Sequence, residues 1–300
     1  MVVLGHSVPH IKRVEIDPAA LASFTKEVEF TTVAVSLMVE TASYCCIAAG
    51  TLGPSKSWDR DKAAVAGNMV RQYKLLDAFL DQICKHRDET GMILARLVFE
   101  TTVNIRFLIK NFSPSLINSY VTHSLRHERK LRDSIRKNIG DRSGIIQPIE
   151  DRMLHSIEHA AKVASVDLDQ IDLKDKRPWG GKNIFDKARD VGLEPFYLAA
   201  FGGGSHSIHG NWHEIYSNHL EWDETTNEFS PQLGWKRPRP QVITSFALVL
   251  TETIKIYFQF IGGDELSDYF DPLLDDLHGR VHDLVRAHES HLSAKAWPET

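Results

Sequence analysis

Hydrophobic residues recur every three or four positions through most of the chain, which is the spacing of amphipathic α-helices. The clearest run comprises Val65, Met69, Tyr73, Leu76, Leu80 and Ile83. Glycine and proline separate such runs from one another. The pattern predicts an all-α protein, built as a multi-helix bundle with a loop-rich excursion in its second half.

Capping residues give the approximate ends of the helices in the first half. Asp17 followed by Pro18 is a typical start, and Gly50 is a typical residue after an end. Gly91 is expected to break or bend the chain between the second and third helices. The four predicted helices cover residues 18–49, from 57–59 to 90, 92–111 and 113–138.

The second half contains shorter elements and more turn residues. Glu194 and Pro195 start a short helix, the glycine run 202–204 is expected to interrupt it, and Ser205 can cap the next helix. The predicted elements are helix 148–166, a polar connection 167–181, helices 194–201 and 205–220, an excursion 221–240 with a short strand pair, and helices 241–261 and 264–291. We expect a single helical domain over 1–300, with a core at about 18–220 on which the last helical pair packs.

Composition excludes several classes of protein. The chain has 300 residues, of which 42% are hydrophobic and 25% charged, so it is neither disordered nor fibrous. Its net charge of −5 gives no global attraction for nucleic acid, so any such contact must be local. The 15 histidines are a modest excess of the side chain best suited to acid–base work.

Cysteine usage and the apolar stretches bear on location. Three cysteines, two of them adjacent, fit neither a disulfide framework nor a CxxC metal site. Residues 1–9 lack the pattern of a signal peptide. Glu40 interrupts one apolar stretch, and Glu252 and Lys255 interrupt another, so no membrane span is expected. These features predict a cytoplasmic protein.

A polar line crosses the apolar segment LARLVFETTVNIRFLIK. Arg96, Glu100 and Asn104 are four residues apart and share one face of a helix. An Arg–Glu pair there can fix the packing register, since buried polar groups must be satisfied. It can equally orient an acid or bind an anion in a site.

A second line lies in GGGSHSIHGNWHEIYSNH. His206, His209 and His213 share a helical face beyond the glycines, where they could act as acid–base groups, bind an anion or hold a metal. A metal would need a further donor such as Glu100 or Glu214, and the segment is not HExxH. Exposed or structurally bonded histidines are the alternative. We expect no cofactor.

Two basic segments could contact RNA. The helix within 123–142 carries seven lysines and arginines against three acidic residues, and the loop 235–240 reads WKRPRP. A solvated basic face is the simpler interpretation of both.

The segments RLVFETTVNIRFL and FYLAAFGGGSHSIHGNW resemble a bacterial family of domains of unknown function, DUF5677, over about residues 60–220. The matching positions are Arg96, Glu100, Tyr197, Ser205, His209 and Gly210. The triple glycine and the extra histidines depart from the family's serine-bearing helix. The resemblance implies a helical fold and a site at these residues, but no reaction.

Helical families of this kind are similar in outline to HEPN (higher-eukaryote-and-prokaryote nucleotide-binding) domains. That analogy implies a metal-independent ribonuclease of the toxin or phage-defence type. An arginine would then stabilise the phosphate, while a histidine moves the proton.

The leading hypothesis places four catalytic side chains around a polar pocket: Arg96, Glu100, His206 and His209. Asn104, Tyr197, Ser205 and His213 would bind the substrate, which we expect to be RNA or a nucleotide. The second hypothesis is a non-catalytic interaction or sensor module with a structural polar network. A metal-dependent hydrolase is the third. A homodimer or a protein partner is also expected, because long apolar helices such as 243–260 can bury against a copy of themselves.

Overall fold

The computed structural model of the protein describes residues 10–54 and 57–295, without the side chains of residues 199 and 201–205. The predicted all-α class is confirmed. The helices are α1 (Pro18–Ala22), α2 (Glu27–Gly50), α3 (Arg60–Cys84), α4 (Asp88–Lys110), α5 (Pro114–Ser124), α6 (Arg126–Asp141), α7 (Pro148–Ala164), α8 (Ile184–Asp190), α9 (Glu194–Phe196), α10 (Gly203–His209), α11 (Trp212–Asn218), α12 (Pro240–Gly262) and α13 (Asp264–Ser293). A π-helical segment, Tyr197–Gly202, joins α9 to α10, and short 3₁₀ turns cover Leu168–Gln170 and Trp179–Gly181.

The predicted strand pair is confirmed. Strands β1 (Leu220–Asp223) and β2 (Glu228–Pro231) form an antiparallel hairpin in which Trp222 pairs with Phe229. The turn between them is closed by Asp223, whose carboxylate accepts the backbone N–H of Thr225 at 2.8 Å.

Three helix boundaries predicted in the first half are wrong. The helix predicted over 18–49 is interrupted at 23–26, because the Glu29 carboxylate accepts the backbone N–H groups of Thr25 and Lys26 and starts α2 afresh. The break expected at Gly91 lies at Lys85–Arg87, where His86 has a φ of +56°. Gly91 is instead inside α4, in close contact with α3: an added Cβ would lie 3.0 Å from Ile83 Cδ1, so that side chain would have to shift slightly. The helix expected over 113–138 is also divided, at Leu125.

The segment 184–218 differs most from expectation. The glycine run 202–204 does not interrupt the helix, since the backbone remains helical from Glu194 to His209. Ser205 therefore lies inside α10 rather than before it. The break occurs at Gly210, whose φ of +55° is left-handed and suits glycine. The short helix α8 was not predicted at all.

Five long helices enclose the main hydrophobic core. α12 packs against α2, α4 and α13, and α3 packs against α2 and α4. A smaller second cluster joins α6, α7 and the 168–171 turn. Because α4 touches α3 and α12 on one side and α8, α10 and the π-helical segment on the other, it lies between the core and the segment that carries the candidate site.

A buried ion pair joins the two ends of the chain. Arg280 on α13 donates two hydrogen bonds of 2.7 Å to the two carboxylate oxygens of Glu40 on α2, and both side chains are buried. The backbone of Val14 closes the network, because its N–H donates to Glu40 and its carbonyl accepts from Arg280. Glu40, which interrupts the apolar run of α2, is therefore satisfied within the fold.

Two helices, α2 and α12, are long and apolar enough to cross a membrane when length and composition alone are considered. Most of each apolar window, 56% and 61%, is buried inside the fold, as in the core helices of soluble proteins. The expected lack of a signal peptide concerns residues 1–9, which lie outside the described residues.

Removing one side of the Glu40–Arg280 pair should destabilise the fold strongly. We expect Glu40→Ala to lower the free energy of unfolding by about 3 kcal/mol, because it takes a bidentate carboxylate from the buried Arg280 guanidinium, which then keeps only Asp276 and the Val14 carbonyl as partners. Urea denaturation measures this. Asp81→Ala is the control, since Asp81 forms an exposed pair with Lys85 and its loss should cost under about 1 kcal/mol. Equal effects of the two substitutions would contradict the interpretation.

Candidate functional site

The chain from residue 179 to 214 runs back along α4 in the opposite direction. Two ring contacts and one charge interaction show this order, from the C-terminal end of α4 to its start: Phe107 with Trp179 (ring centroids 5.5 Å apart), Phe99 with Tyr197 (6.4 Å), and the charge of Glu214 acting on Asp88. Arg96 lies between Asp88 and Phe99 on α4. The chain that passes beside Arg96 therefore lies between Tyr197 and Glu214, and this segment contains α10.

The two predicted groups of site residues are therefore on neighbouring helices. α10, which carries His206 and His209, packs directly against α4, which carries Arg96 and Glu100. Both histidines are exposed, whereas Arg96 and Glu100 are partly buried. The described contacts include no hydrogen bond from either histidine to Arg96 or Glu100.

Glu100 has a cationic neighbour that the sequence did not suggest. The ammonium group of Lys187 on α8 interacts with the Glu100 charge, and Lys187 is only 3% exposed. Its Nζ lies 3.1 Å from the centroid of the Trp179 ring, in a cation–π contact. Burial lowers the pKa of Lys187 to about 7, and Glu100 offsets part of that shift.

The predicted substrate-binding residues are spread around this interface. Asn104 is partly buried on the same face of α4. Tyr197 packs edge-on against Phe185 at 5.0 Å as well as against Phe99. His213, which is exposed at the start of α11, has its ring 5.2 Å from that of His206. The Ser205 side chain lies outside the described part of the chain.

Asn211 orients the His206 ring. Its side-chain oxygen caps α11 by accepting the backbone N–H of Glu214 at 3.1 Å, which turns the amide nitrogen toward His206 Nδ1. The amide N–H then donates to Nδ1, so a neutral His206 carries its proton on Nε2. This places an N–H donor on the nitrogen that is free to meet a ligand.

Glu214 holds α10 and α11 together rather than standing free for a metal. It is buried, it accepts the Ser207 hydroxyl at 3.0 Å, and it lies 3.6 Å from His219 Nε2. Among the side chains that the structure describes, no group of three or more His, Cys, Asp or Glu residues is placed to bind a metal ion.

Acidic side chains cluster near Glu214, at the start of α4. Burial raises the pKa of Asp88 to about 6, and the charges of Glu89 and Glu214 raise it while Arg239 and Lys236 lower it. Glu89 is buried and accepts the backbone N–H of Lys236 at 3.2 Å. The basic loop 235–240 is thus attached to α4.

Exposed aromatic rings continue from the histidines across the surface. The contacts are His213 with Tyr216 (5.4 Å), Tyr216 with Trp212 (6.0 Å), Trp212 with Phe229 (5.5 Å) and Phe229 with Trp222 (4.5 Å). All four aromatic side chains are exposed, Trp212 by 62%. We call Trp212, Tyr216, Trp222 and Phe229 the aromatic surface.

The basic helix predicted within 123–142 has a structural role along part of its length. Arg129 donates to the carbonyls of Asp169 and Ile171, and Arg132 pairs with Asp169. Arg142 pairs with Glu150 on α7. Arg129 and Arg132 thus attach the polar connection to α6, and Arg142 attaches α7 to the end of α6. None of the three is free to form part of a basic face.

Two residues that shape the site were missed, for different reasons. Asn211 could have been found, since asparagine three residues before a glutamate is a helix-start signal. Lys187 had no signal, because a lysine on a short polar helix is ordinarily exposed. Only the packing of α8 on α4 buries it.

Lys187 should destabilise the protein at neutral and low pH. Its pKa is near 7 when folded and near its ordinary value when unfolded, so the cost of burying its charge is complete below pH 7 and fades as the pH rises toward 10. We expect Lys187→Met to raise the free energy of unfolding at pH 6 by on the order of 2 kcal/mol, and less at pH 9. Denaturation at both pH values tests this, with the more exposed Lys182→Met as control. A gain that does not shrink with pH would contradict it.

Comparison with known proteins gives one family. The family of unknown function DUF5677 matches residues 62–228, which run from the start of α3 to the first residue of β2 and contain both Arg96 and His209. No curated protein and no solved structure matches the chain. The match covers more than half of the chain and the residues from which the resemblance was noted, so the protein belongs to the DUF5677 family.

Proposed function

We propose that the protein is a metal-independent ribonuclease that acts on single-stranded RNA at the surface formed by α4, α10 and α11. The observation that carries the proposal is the adjacency of α10, which carries His206 and His209, to the aromatic surface, through the His206–His213 and His213–Tyr216 ring contacts. Groups able to transfer protons and rings able to stack bases thus meet on one exposed surface.

The aromatic surface is suited to unpaired bases. Stacking of a base on an exposed aromatic ring contributes about 1–3 kcal/mol and is tolerant of sequence. The hairpin also carries carboxylates, among them Glu221, Asp223 and Glu228, all exposed. They repel phosphates, so a bound strand would turn its bases toward the rings and keep its phosphates on the histidine side.

The phosphate would meet donors from both helices. His206 offers its Nε2–H to a non-bridging phosphoryl oxygen, because Asn211 occupies Nδ1. Arg96 supplies positive charge at the level of α10. The charge of Glu100 favours the protonated form of Lys187, and we assign Glu100 an electrostatic role beside α8 rather than contact with the reacting atoms.

The reaction balances without a metal. His209 removes the proton from a ribose 2′-hydroxyl, the 2′-oxygen attacks phosphorus, and the bond from phosphorus to the 5′-oxygen breaks. His209 returns the proton to that leaving oxygen. The products are a 2′,3′-cyclic phosphate and a 5′-hydroxyl.

Two further features of the proposal come from the sequence. The helical fold is in keeping with the outline similarity to HEPN domains, which is an argument by analogy and extends to a toxin or phage-defence role. We place the activity in the cytoplasm, where single-stranded RNA is available and where free thiols persist.

An interaction module is the second candidate, since one exposed segment favours it. Leu233 is 90% exposed and Trp235 is 53% exposed, and the guanidinium of Arg87 lies 5.4 Å from the Trp235 ring. A protein partner or a second copy of the chain could cover this segment.

Cleavage of labelled single-stranded RNA tests the ribonuclease. We expect wild-type activity that persists in EDTA, a loss of about 100-fold or more in His209→Ala, and a comparable loss in Arg96→Ala. Trp212→Ala should raise KM about tenfold with little change in kcat, because it removes base stacking alone. The products should end in a 2′,3′-cyclic phosphate.

His127→Ala is the matched control, because His127 is an exposed histidine on α6 and should retain full activity. Circular dichroism establishes that each variant is folded. Activity abolished by EDTA would favour the metal-dependent hydrolase instead. No cleavage by wild type, or full activity in His209→Ala, would refute the proposal and leave the interaction module as the better one.

A further inference from the structure

A polar cleft lies at the opposite end of α4 from the histidines. It has a volume of about 790 Å³ and opens between α5 and the chain at 175–182. Phe107 near the end of α4 and Asn111 just after it line the cleft. By the rise of a helix, these residues are about 16 Å or more from Arg96, so the cleft is separate from the surface proposed to bind RNA.

Positive charge dominates the walls of the cleft. Three cationic side chains line it, Arg126, Arg177 and Lys182, together with the carboxylate of Asp175. Asp175 accepts hydrogen bonds from Arg177 Nε at 3.0 Å and Nη2 at 3.1 Å, so Arg126 and Lys182 are the cations best placed to meet a further anion. Lys187 is close behind, since it stacks on the Trp179 ring that forms part of the wall. Burial, and then the charges of Arg126 and Lys187, lower the pKa of His123 in the same wall. An anion is the ligand that this field attracts.

Arg126 is fixed by two contacts that leave some of its N–H groups available to a ligand. Its Nη1 donates to the carbonyl of Arg177 at 3.2 Å, and its Nη2 lies 3.2 Å from Asp175. Each of these nitrogens carries a second N–H group, so the guanidinium can still donate to an anion. Lys182 similarly uses one of its three N–H groups, on Asp190 at 2.9 Å.

Neutral hydrogen-bonding groups cover the facing wall. α5 contributes hydroxyl and amide side chains to the cleft, namely Ser115, Asn118, Ser119 and Thr122. Ser119 Oγ accepts the backbone N–H of Gly180 at 3.0 Å, which fixes the loop opposite. Gly180 has a φ of +65°, and an added Cβ would lie 3.0 Å from Leu116 and 3.1 Å from Phe107. The loop can approach α4 this closely only because the residue is glycine.

We propose that this cleft binds a phosphate monoester, with Arg126 and Lys182 on the phosphate and the α5 hydroxyls on the group that carries it. Two cationic side chains with further N–H groups match a dianionic phosphate better than a single carboxylate, and the volume accommodates a ligand the size of a nucleotide. The phosphate can belong to a small metabolite or to the 5′ end of an RNA. The binding site does not depend on the proposed cleavage reaction.

Isothermal titration calorimetry of the full chain tests the site. The probes are inorganic phosphate, adenosine 5′-monophosphate, adenosine, and a 2′-O-methyl RNA decamer with a 5′-phosphate or a 5′-hydroxyl, which lacks the 2′-hydroxyl that the proposed cleavage requires. We expect the monophosphate to bind and adenosine not to. Arg126→Gln should weaken that binding at least about tenfold, because it removes a charge-assisted hydrogen bond. Lys182→Gln should weaken it in the same direction.

Arg136→Gln is the control, since Arg136 is an exposed arginine on α6 outside the cleft and its loss should leave binding unchanged. If Arg126→Gln does not fold, Lys182→Gln carries the test, because Lys182 is at the exposed rim. Tighter binding of the 5′-phosphorylated decamer than of its 5′-hydroxyl form would assign the phosphate to RNA, and equal binding would assign it to a small molecule. The proposal is overturned if no phosphorylated probe binds wild type, or if both cleft variants bind as tightly as Arg136→Gln.

Discussion

Burial of α4 from two sides is the constraint on which the other features depend. One side lies against α3 and α12, and the other is covered by α8, the π-helical segment and α10. A helix in that position must satisfy every polar group it carries inside the protein. Arg106 shows how this is met: its Nε donates to Thr253 Oγ1 and its Nη2 to the carbonyl of Val249, both at 2.8 Å, while burial lowers its pKa to about 10.

The side of α4 that is covered by α8, the π-helical segment and α10 lies beneath both proposed sites. Since the chain from 179 to 214 runs back along this face, each level of α4 receives a different neighbour. The C-terminal end receives Trp179 and the cationic cleft, the middle receives Lys187 beside Glu100, and the first half receives the helix with His206 and His209. One buried helix therefore supports both proposed sites while keeping them apart.

Much of this could be predicted from local signals, and the rest depends on packing. The Asp17–Pro18 start and the hairpin at 220–231 follow from turn and cap chemistry, which acts within a few residues. Gly91 and the glycine run 202–204 were assigned as breaks because glycine weakens an isolated helix. In the fold, Gly91 lies where α4 packs closely on Ile83, and the helical backbone through the glycine run packs on α4. Tertiary contact outweighed local propensity at both places.

The site was predicted in the same uneven way. Spacing alone could place Arg96 and Glu100 on one face, and His206 and His209 on another. It could not show that the charge of Glu100 would lie near Lys187 of α8. Nor could it show that Gly210, in a left-handed conformation, would divide the predicted histidine helix. Yet the rings of His206 and His213 lie only 5.2 Å apart across that break. The reason is that the Asn211 side chain both caps α11 and donates a hydrogen bond to His206. The capping interaction, rather than a continuous helix, keeps these two histidines together.

The family match covers only part of the helical core. Residues 62–228 include α3, α4 and the histidine segment, but not α2, α12 or α13. The matched segment alone would expose the side of α4 that packs on α12, including Arg106. In this chain α12 covers it, and α12 is packed in turn between α2 and α13, which the buried Glu40–Arg280 pair joins. Residues on both sides of the family segment thus complete the burial of the helix that carries its Arg–Glu motif, and stability of the site should depend on them as much as on the segment itself.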